Sequence, residues 1–402
     1  MRILQVPHAY APVRGGAEYY ITRVSEALAA LGHDVHVFTT DFASPEGFYQ
    51  LGVDRVGAPR EVRRGVSVTR CGLTTRRYRL AGRLPATPAF VRQLAEARVL
   101  ETNRRRFRSG LQGEIDVFKP DVVMALPHLF PNVRAVLEEQ LRRPFPLILV
   151  PMLHEGDPYW SVDDVAEALA QANGVIALTA HEAHRINAAY GVPESAIFTC
   201  SAGVDLPCDP RPAERSELVL FLGRKVLAKG LEDLVNAMQL IWPDHPSAQL
   251  VLAGSRTPGT DQVDHLVQAL APEERARVTS LDDISEEAKH ALLSSARCLV
   301  LPSEIESLGL VVLEAWAHGT AVVTLDLPVF RNLVEPGEDG LLVIPKDPTQ
   351  LAQAIRSLLA NNDRARSMGE AGRRKAERMT WETVASCVVD AIDHAVNSAK
   401  EH

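Results

Sequence analysis

The 402-residue sequence lacks several features that would place it in a class at once. It has no run of eighteen apolar residues, so no transmembrane helix is predicted and any membrane contact is expected to be peripheral. Its first residues, MRILQVPHAY, have neither a long apolar core nor a cleavage site, and they predict a strand rather than a signal peptide. The loop after this strand does not have the G-x-G-x-x-G spacing of a dinucleotide site.

Cysteine is scarce, and its five positions form no framework. No pair has C-x-x-C spacing, and no cysteine lies in a Cys/His pattern typical of a metal site. An odd number of isolated thiols predicts reduced cysteines and a cytoplasmic location. His181 and His184 lie three residues apart, but no third ligand accompanies them, so we predict no metal site there. The cysteines are Cys71, Cys200, Cys208, Cys298 and Cys387.

The net charge of -8 disfavours nucleic acid as a general partner. The segment from Arg76 to Arg108 departs from this balance, because it holds ten arginines and two glutamates. It predicts either a solvated helix face and loop or a basic surface for an anionic acceptor, such as a lipid, a phosphate or an acidic glycan. The segment has few aromatic residues, so deep insertion into a membrane is not expected.

Short apolar segments alternate with amphipathic ones along the chain, which predicts an α/β fold with two Rossmann-like, doubly wound parallel sheets. The proline-rich, acidic stretch over 206–217 predicts a linker. We therefore predict an N-terminal domain over 1–205, a C-terminal domain over 218–380 and a final helix over 381–402. The predicted strands are Arg2–Val6, Asp34–Thr39, Asp121–Leu126, Leu147–Pro151, Gly174–Leu178, Leu218–Leu222, Gln249–Ala253, Arg277–Ser280, Cys298–Leu301 and Ala321–Thr324.

The segment from Leu301 to Thr324 predicts a strand, a loop and a buried helix. Glu314 lies in the helix among apolar residues, where a carboxylate without a partner is unfavourable, so we expect a protein partner or a ligand for it. Glu306 lies eight residues earlier, and the helical repeat allows both carboxylates to border one pocket. Because Gly309 has no Cβ, a ligand can approach the first-turn amides, which favour an anion such as phosphate.

A second polar segment, FLGRKVLAKG, follows the strand that begins the C-terminal half. Arg224 and Lys229 flank a loop between the end of this strand and the next helix. Two cations at such a position suit a diphosphate, whose charge grows as it leaves. Arginines and lysines are also common on protein surfaces, so the alternative that both are ordinary surface charges stays open at this point.

Together these segments resemble the retaining glycosyltransferases of the GT-B fold, glycosyltransferase family four. The resemblance covers nearly the whole chain and rests on four elements in order. The elements are G-G-x-E at Gly15, Gly16 and Glu18, followed by G-H-x-V at Gly32, His33 and Val35; G-V-D at Gly203, Val204 and Asp205; G-R-x-x-x-x-K-G at Gly223, Arg224, Lys229 and Gly230; and E-x7-E at Glu306 and Glu314.

The resemblance implies two domains that face each other across a cleft, with the acceptor bound by the N-terminal domain and a UDP- or GDP-sugar by the C-terminal one. It implies retaining transfer without a metal or a cofactor, in which the leaving phosphate takes the acceptor proton. It also implies that the final helix returns to the N-terminal domain. Arg224 and Lys229 would bind the diphosphate, Glu306 the sugar hydroxyls and Glu314 the ribose. The implied catalytic residues are Arg224, Lys229, Glu306 and His154. The implied donor-binding residues are Gly15, Gly16, Gly223, Ser307, Leu308, Gly309, Leu310 and Glu314.

Two positions depart from the family pattern. Asp282 stands where family members often have a glycine near the nucleobase, which leaves recognition of the base open. Leu308 replaces a more usual phenylalanine, which is a milder change.

Three other functions are alternatives to glycosyl transfer. A nucleotide-sugar epimerase of the same fold is the main alternative. An NAD-dependent oxidoreductase is disfavoured because the dinucleotide spacing is missing. A non-catalytic sugar-nucleotide-binding protein stays open as an alternative, although all the charged residues of the site are present and give no sign of its decay. For single residues a structural role is the alternative. His154 would then be a histidine whose hydrogen bonds are made within the protein, and Gly15 and Gly16 would form a turn. Glu306 would be a solvated carboxylate, and Glu314 a buried structural one.

Overall fold

The structure is a computed structural model of the whole chain. It describes residues 1–13, 15–42, 54–73, 89–127, 131–153, 162–207, 215–257 and 259–400, with the backbone alone described for 89–96 and 162–163. These residues form two compact units. The first unit comprises Met1–Leu153, Pro158–Cys200 and Val384–His402, and the second comprises Ser201–Thr383. Both units are α/β, as the alternating apolar pattern predicts.

The first unit is built on a sheet that has eight strands within the described residues. Neighbouring strands are parallel, except for one antiparallel pair at an edge. Their order across the sheet is β3-β4-β2-β1-β5-β6-β7-β8. The strands are β1 (Arg2–Pro7), β2 (Asp34–Thr40), β3 (Arg60–Arg63), β4 (Val66–Cys71), β5 (Val122–Leu126), β6 (Leu147–Leu149), β7 (Gly174–Ala177) and β8 (Ile197–Thr199).

Helices cover this sheet and complete its core. Inner strands such as β5 are buried at every position, as expected for parallel strands packed on both faces. The long helix α2 contributes Phe107 and Leu111 to the core, and Phe107 packs 4.8 Å from Phe38 between ring centroids. The helices are α1 (Gly16–Ala30), α2 (Ala89–Phe118), α3 (Pro131–Gln140), α4 (Val162–Gln171) and α5 (Ala180–Tyr190).

The second unit has a six-stranded sheet in which every neighbouring pair is parallel. Its strand order is β11-β10-β9-β12-β13-β14. The strands are β9 (Leu218–Leu222), β10 (Gln249–Gly254), β11 (Val278–Asp282), β12 (Cys298–Leu301), β13 (Ala321–Leu325) and β14 (Gly340–Val343). The remaining helices are α6 (Leu231–Ile241), α7 (Thr260–Gln268), α8 (Pro272–Arg275), α9 (Glu286–Ser295), α10 (Leu310–Ala317), α11 (Pro328–Arg331), α12 (Pro348–Leu359), α13 (Asn362–Ala376) and α14 (Trp381–Ser398).

The order of these strands reverses between β9 and β12. Strands β10 and β11 lie on one side of β9, whereas β12, β13 and β14 continue on the other side. In open α/β sheets, ligands bind beyond the carboxyl ends of the strands at such a reversal, because the connecting loops diverge there. A ligand site is therefore expected at the loops that follow β9 and β12.

Side-chain caps set the starts of several helices in this unit. Ser285 accepts a hydrogen bond from the Ala288 amide at 3.2 Å and starts α9. Asp347 accepts from the Gln350 amide at 2.9 Å and starts α12. Each cap satisfies an amide that has no partner inside its helix, and the serine and aspartate are typical residues for this role.

The cysteine prediction is wrong for one pair. Cys200 and Cys387 form a disulfide with a Cα–Cα distance of 5.6 Å. Cys200 follows β8, and Cys387 lies on α14, whose residues from Val384 onward belong to the first unit. The bond therefore fastens the C-terminal helix to this unit. The two cysteines are 187 residues apart, so spacing in the sequence carried no sign of the pair.

Candidate active site

The motif residues of the second unit lie at the sheet reversal described above. Arg224 and Lys229 follow β9, and Glu306 and Gly309 follow β12. Gly309 caps α10 with a positive φ of 76°, and a Cβ there would come within 2.7 Å of the Phe330 ring. The sequence attributed this glycine to ligand access, whereas the structure adds one conformational reason and one packing reason for it. Gly309 supplies no capping side chain and the first turn of α10 has no acidic residue, so its amides remain suited to an anion.

Gly230 determines where Lys229 is placed. Residues 227–229 form a 3-10 turn, and Gly230 ends it with a φ of 72° before α6 begins. A Cβ on Gly230 would overlap the carbonyl oxygen of Pro302, at the end of β12. Only glycine combines this backbone conformation with such a close approach. The contact brings the loop after β9 against the loop after β12.

Lys229 and Glu306 meet across these two loops. The Lys229 ammonium lies 2.7 Å from Glu306 Oε1 and also donates to the Ile305 carbonyl at 3.1 Å. Their side chains are 16% and 15% exposed, so water screens the pair only in part. Arg224 is exposed and forms no ion pair with any described residue. One cation is thus held by a carboxylate, while the other is available to an anion from solution.

Glu314 has a protein partner. Its Oε1 accepts from the Lys289 ammonium at 2.8 Å, and both side chains are less than 20% exposed. Burial acts to lower the pKa of Lys289, but Glu314 and Glu286 outweigh it and raise the pKa overall. Of the two possibilities open to Glu314 in the sequence, the partner is present, and the sequence did not single out Lys289.

Comparison with known proteins identifies the family of the chain. The sequence model for "Glycosyltransferase Family 4" matches residues 14–207, and the model for "Glycosyl transferases group 1" matches residues 209–375. The chain belongs to glycosyltransferase family four. The predicted membership is confirmed, the protein is a glycosyltransferase, and the family match supports a nucleotide-sugar donor.

Relatives and solved structures match this glycosyltransferase over nearly its whole length. Glycogen synthase of Mycobacterium tuberculosis is 27% identical over 409 aligned residues, which cover 96% of this chain and 93% of the relative. D-inositol 3-phosphate glycosyltransferase of Xylanimonas cellulosilytica is 28% identical over 411 residues, covering 95% and 92%.

Two solved structures share the fold. Sucrose-phosphate synthase from Thermosynechococcus elongatus superposes with a TM-score of 0.76 at 23% identity, covering 97% of each chain. HepE from Anabaena, in complex with UDP and glucose, superposes with a TM-score of 0.74 at 17% identity, covering 98% of this chain and 99% of that one. The predicted fold class, two parallel-sheet α/β domains of the GT-B type, is confirmed.

The structure explains the departure from the family at Asp282. Lys225, the residue after Arg224, is only 1% exposed, and its ammonium donates to Asp282 Oδ1 and, at 2.8 Å, to Ser280 Oγ. Arg256 also lies 3.4 Å from Asp282 Oδ2. A buried ammonium needs such partners, so Asp282 and Lys225 form a matched pair in this glycosyltransferase. Lys225 was not among the predicted site residues.

In the first unit, Gly15 and Gly16 lie at the start of α1. Gly15 has an extended backbone and caps the helix, and a Cβ on it would overlap the Glu18 carboxylate. Glu18 Oε1 in turn lies 2.7 Å from His8 Nε2, and both side chains are nearly buried. The G-G-x-E element therefore has a structural purpose, which is to make room for the Glu18 carboxylate.

Some predicted features lie outside the described residues or remain predictions. His154 lies outside them, as do residues 74–88 of the arginine-rich segment. Of the arginines described on α2, Arg105 binds Glu101 at 2.6 Å and Arg108 binds Glu138 at 2.6 Å. These pairs agree with the interpretation of this part of the segment as a solvated helix face.

The described residues contain neither a helix suited to crossing a membrane nor a cluster of metal ligands. No described helix is long and apolar enough to cross a membrane. No group of three or more metal-ligating side chains occurs in the described ranges, which include His181 and His184 on α5.

Proposed function

We propose that the protein transfers a sugar, with retention of anomeric configuration, from a UDP- or GDP-sugar to an acceptor hydroxyl. The observation that carries this proposal is the convergence of Arg224, Lys229 and Glu306 with the α10 N-terminus at the reversal between β9 and β12. Relatives named as glycogen synthase and inositol 3-phosphate glycosyltransferase support the reaction class. The structural neighbour in complex with UDP supports the donor class.

Electrostatics give each group a part in this reaction. The bond to the sugar breaks toward the diphosphate, which gains negative charge as it leaves. A cation already in place stabilises that charge in the transition state without the reorganisation that water would need. Arg224 is free of described ion pairs, and Lys229 exchanges the Glu306 carboxylate for phosphate oxygens as the donor binds. Glu306 then accepts hydrogen bonds from sugar hydroxyls, and the α10 amides bind the phosphate.

In this proposal no side chain attacks the sugar. The acceptor hydroxyl approaches the same face from which the diphosphate departs, and a phosphate oxygen takes its proton. No metal is required, because the two cations and the helix N-terminus provide the positive charge. The acceptor is a glycan, a lipid-linked sugar or a small molecule, and its recognition belongs to the N-terminal domain.

The experiment is a binding panel without metal, in EDTA, with UDP, GDP, ADP and NAD. A ligand that binds the folded protein raises its melting temperature in proportion to the logarithm of ligand concentration over Kd. We expect one nucleoside diphosphate to stabilise the protein. Arg224→Ala should weaken that ligand by about tenfold to a hundredfold, as expected for loss of one charged hydrogen bond.

Arg364→Ala, an exposed arginine at the start of α13, is the matched control and should bind like wild type. No response to any diphosphate, or a response to NAD alone, would contradict the proposal. Once a donor sugar is found, the configuration of the new bond by NMR tests retention. Conversion of that donor to its epimer without an acceptor would identify the epimerase alternative instead.

A further inference from the structure

Lys289 lies between two carboxylates at the face where α9 meets α10. Its ammonium is 2.8 Å from Glu314 Oε1 and 2.7 Å from Glu286 Oε2, one turn earlier on its own helix. Glu286 is 63% exposed, whereas Glu314 is 16% exposed and Lys289 is 18% exposed. The bond to Glu314 is therefore the sheltered one, and it links two helices through residues 25 positions apart.

The next residue of α9 also binds α10. His318 Nδ1 lies 2.8 Å from the Glu314 carbonyl oxygen, which can only accept, so Nδ1 carries the proton. Burial lowers the pKa of His318 to about 4, so its ring is neutral near pH 7 and Nε2 is an acceptor. His290 Nδ1, 2.9 Å from that Nε2, must then be the donor. Lys289 thus binds the Glu314 side chain, and His290 binds the His318 ring, which in turn donates to the Glu314 carbonyl.

The bond to Lys289 leaves one carboxylate oxygen of Glu314 open among the described residues. Oε1 is bound by Lys289, and Oε2 has no hydrogen bond to a described residue. The carboxylate cannot turn without giving up the Lys289 bond in a place that is mostly shielded from water. It is a pre-oriented acceptor with a single open oxygen, and a ligand hydroxyl is the kind of group that such an oxygen binds.

We propose that Lys289 is a positioning residue that orients the Glu314 carboxylate so that Oε2 accepts a hydrogen bond from the ribose of the donor nucleotide. The proposal rests on the proposed function and on the ribose contact that the family resemblance implies for Glu314. Without the ammonium, the Glu314 carboxylate loses the partner that fixes its orientation. Selectivity for ribose hydroxyls would then be lost while the diphosphate remains bound by Arg224 and Lys229.

The test compares each nucleoside diphosphate that binds with its 2′-deoxy and 3′-deoxy forms, by calorimetric titration of the full chain. Wild type should prefer the ribose form over at least one deoxy form by about tenfold or more. Lys289→Met should reduce this ratio to below about threefold, and Lys289→Arg, which keeps a cation, should restore most of it. If Lys289→Met does not fold, Lys289→Gln takes its place in the same comparison.

Lys375→Met is the stability control, because Lys375 is a part-buried lysine that pairs with Asp339 at 3.1 Å elsewhere in the same unit. It should lower the melting temperature and leave the ribose ratio unchanged. A wild-type ratio that survives in Lys289→Met overturns the positioning role but leaves the proposed function standing. Wild type that binds no nucleoside diphosphate overturns both. Wild type that binds ribose and deoxy forms equally overturns the inference alone.

Discussion

Removal of Asp282 should destabilise the second unit mainly through Lys225. The Lys225 side chain is 1% exposed, and the Asp282 carboxylate and Ser280 Oγ are its partners among the described residues. Breaking a buried ion pair by removing one partner costs about 3–5 kcal/mol. Ser280 remains and Asp282 is 41% exposed, so water near that end should reduce the cost. We expect Asp282→Ala to lower the free energy of unfolding by about 2–3 kcal/mol.

The reverse change should cost less. Lys225→Met keeps the apolar stem buried and removes the charge, and Asp282 keeps its contact with Arg256 and with water. We expect a loss of about 1 kcal/mol. The double variant should then be more stable than Asp282→Ala alone, since no buried ammonium is left without its carboxylate. The expected coupling energy is about 1.5–2.5 kcal/mol, within the range of contacting pairs.

Urea unfolding followed by tryptophan fluorescence measures these differences, because Trp242 and Trp316 are buried in the second unit. Asp326→Ala is the matched control: its partner Arg331 is 60% exposed, and exposed pairs contribute about 0–1 kcal/mol. Single-variant effects that add to within about 0.5 kcal/mol would refute the coupling and with it the matched-pair explanation of Asp282.

Three further predictions concern other parts of the chain. Burial raises the pKa of Glu182 to about 7. The folded state therefore favours the protonated carboxyl, and the stability linked to this proton is fully present below about pH 4.5 and is lost as the pH rises through 7. Glu182→Gln, which does not titrate, should therefore gain up to about 3 kcal/mol relative to wild type between pH 5 and 8, and a pH-independent difference in urea unfolding would contradict this. Gly230→Ala should cost more than about 2 kcal/mol, because it adds overlap to backbone strain, whereas Gly337→Ala, with a φ of 88° and open space, should cost about 1 kcal/mol; equal losses in thermal unfolding would exclude the overlap. A reductant should lower the melting temperature of wild type but not that of Cys387→Ser, with a loss of about 2–4 kcal/mol, and an unchanged wild-type melting curve would show that the Cys200 pair does not form.

The sequence predicted the central elements well because their local patterns are strong. The bounds of β9 and β12 agree with the prediction residue for residue. Each is a short, continuous apolar strand that is buried at every position. The E-x7-E and G-R-x-x-x-x-K-G segments were likewise readable, because each lies within one strand–loop–helix unit. Their spacing alone located the loops that the strand order brings together.

Edge and surface elements were missed where the local pattern is weak. Strand β3 (R-E-V-R) is half exposed and pairs antiparallel with β4 at the edge of the first sheet, so little apolar periodicity marks it. Helix α13 is strongly charged and contributes few large apolar residues, and it forms because small residues such as Gly369 and Gly372 allow it to approach Gly319 and Trp316 closely. Such elements depend on neighbours rather than on their own sequence.

The partners of the site residues were decided by tertiary structure alone. Sequence reasoning established that Glu314 needs a partner and that Asp282 departs from the family, since both statements follow from single positions. It could not supply Lys289 or Lys225, which lie 25 and 57 residues away from those carboxylates. Opposite charges at such separations meet only when the sheet order and the helix packing place them together. The sequence by itself therefore determined the fold class, the family and the loops of the site, whereas the folded chain decided which charges neutralise one another and which remain open to a ligand.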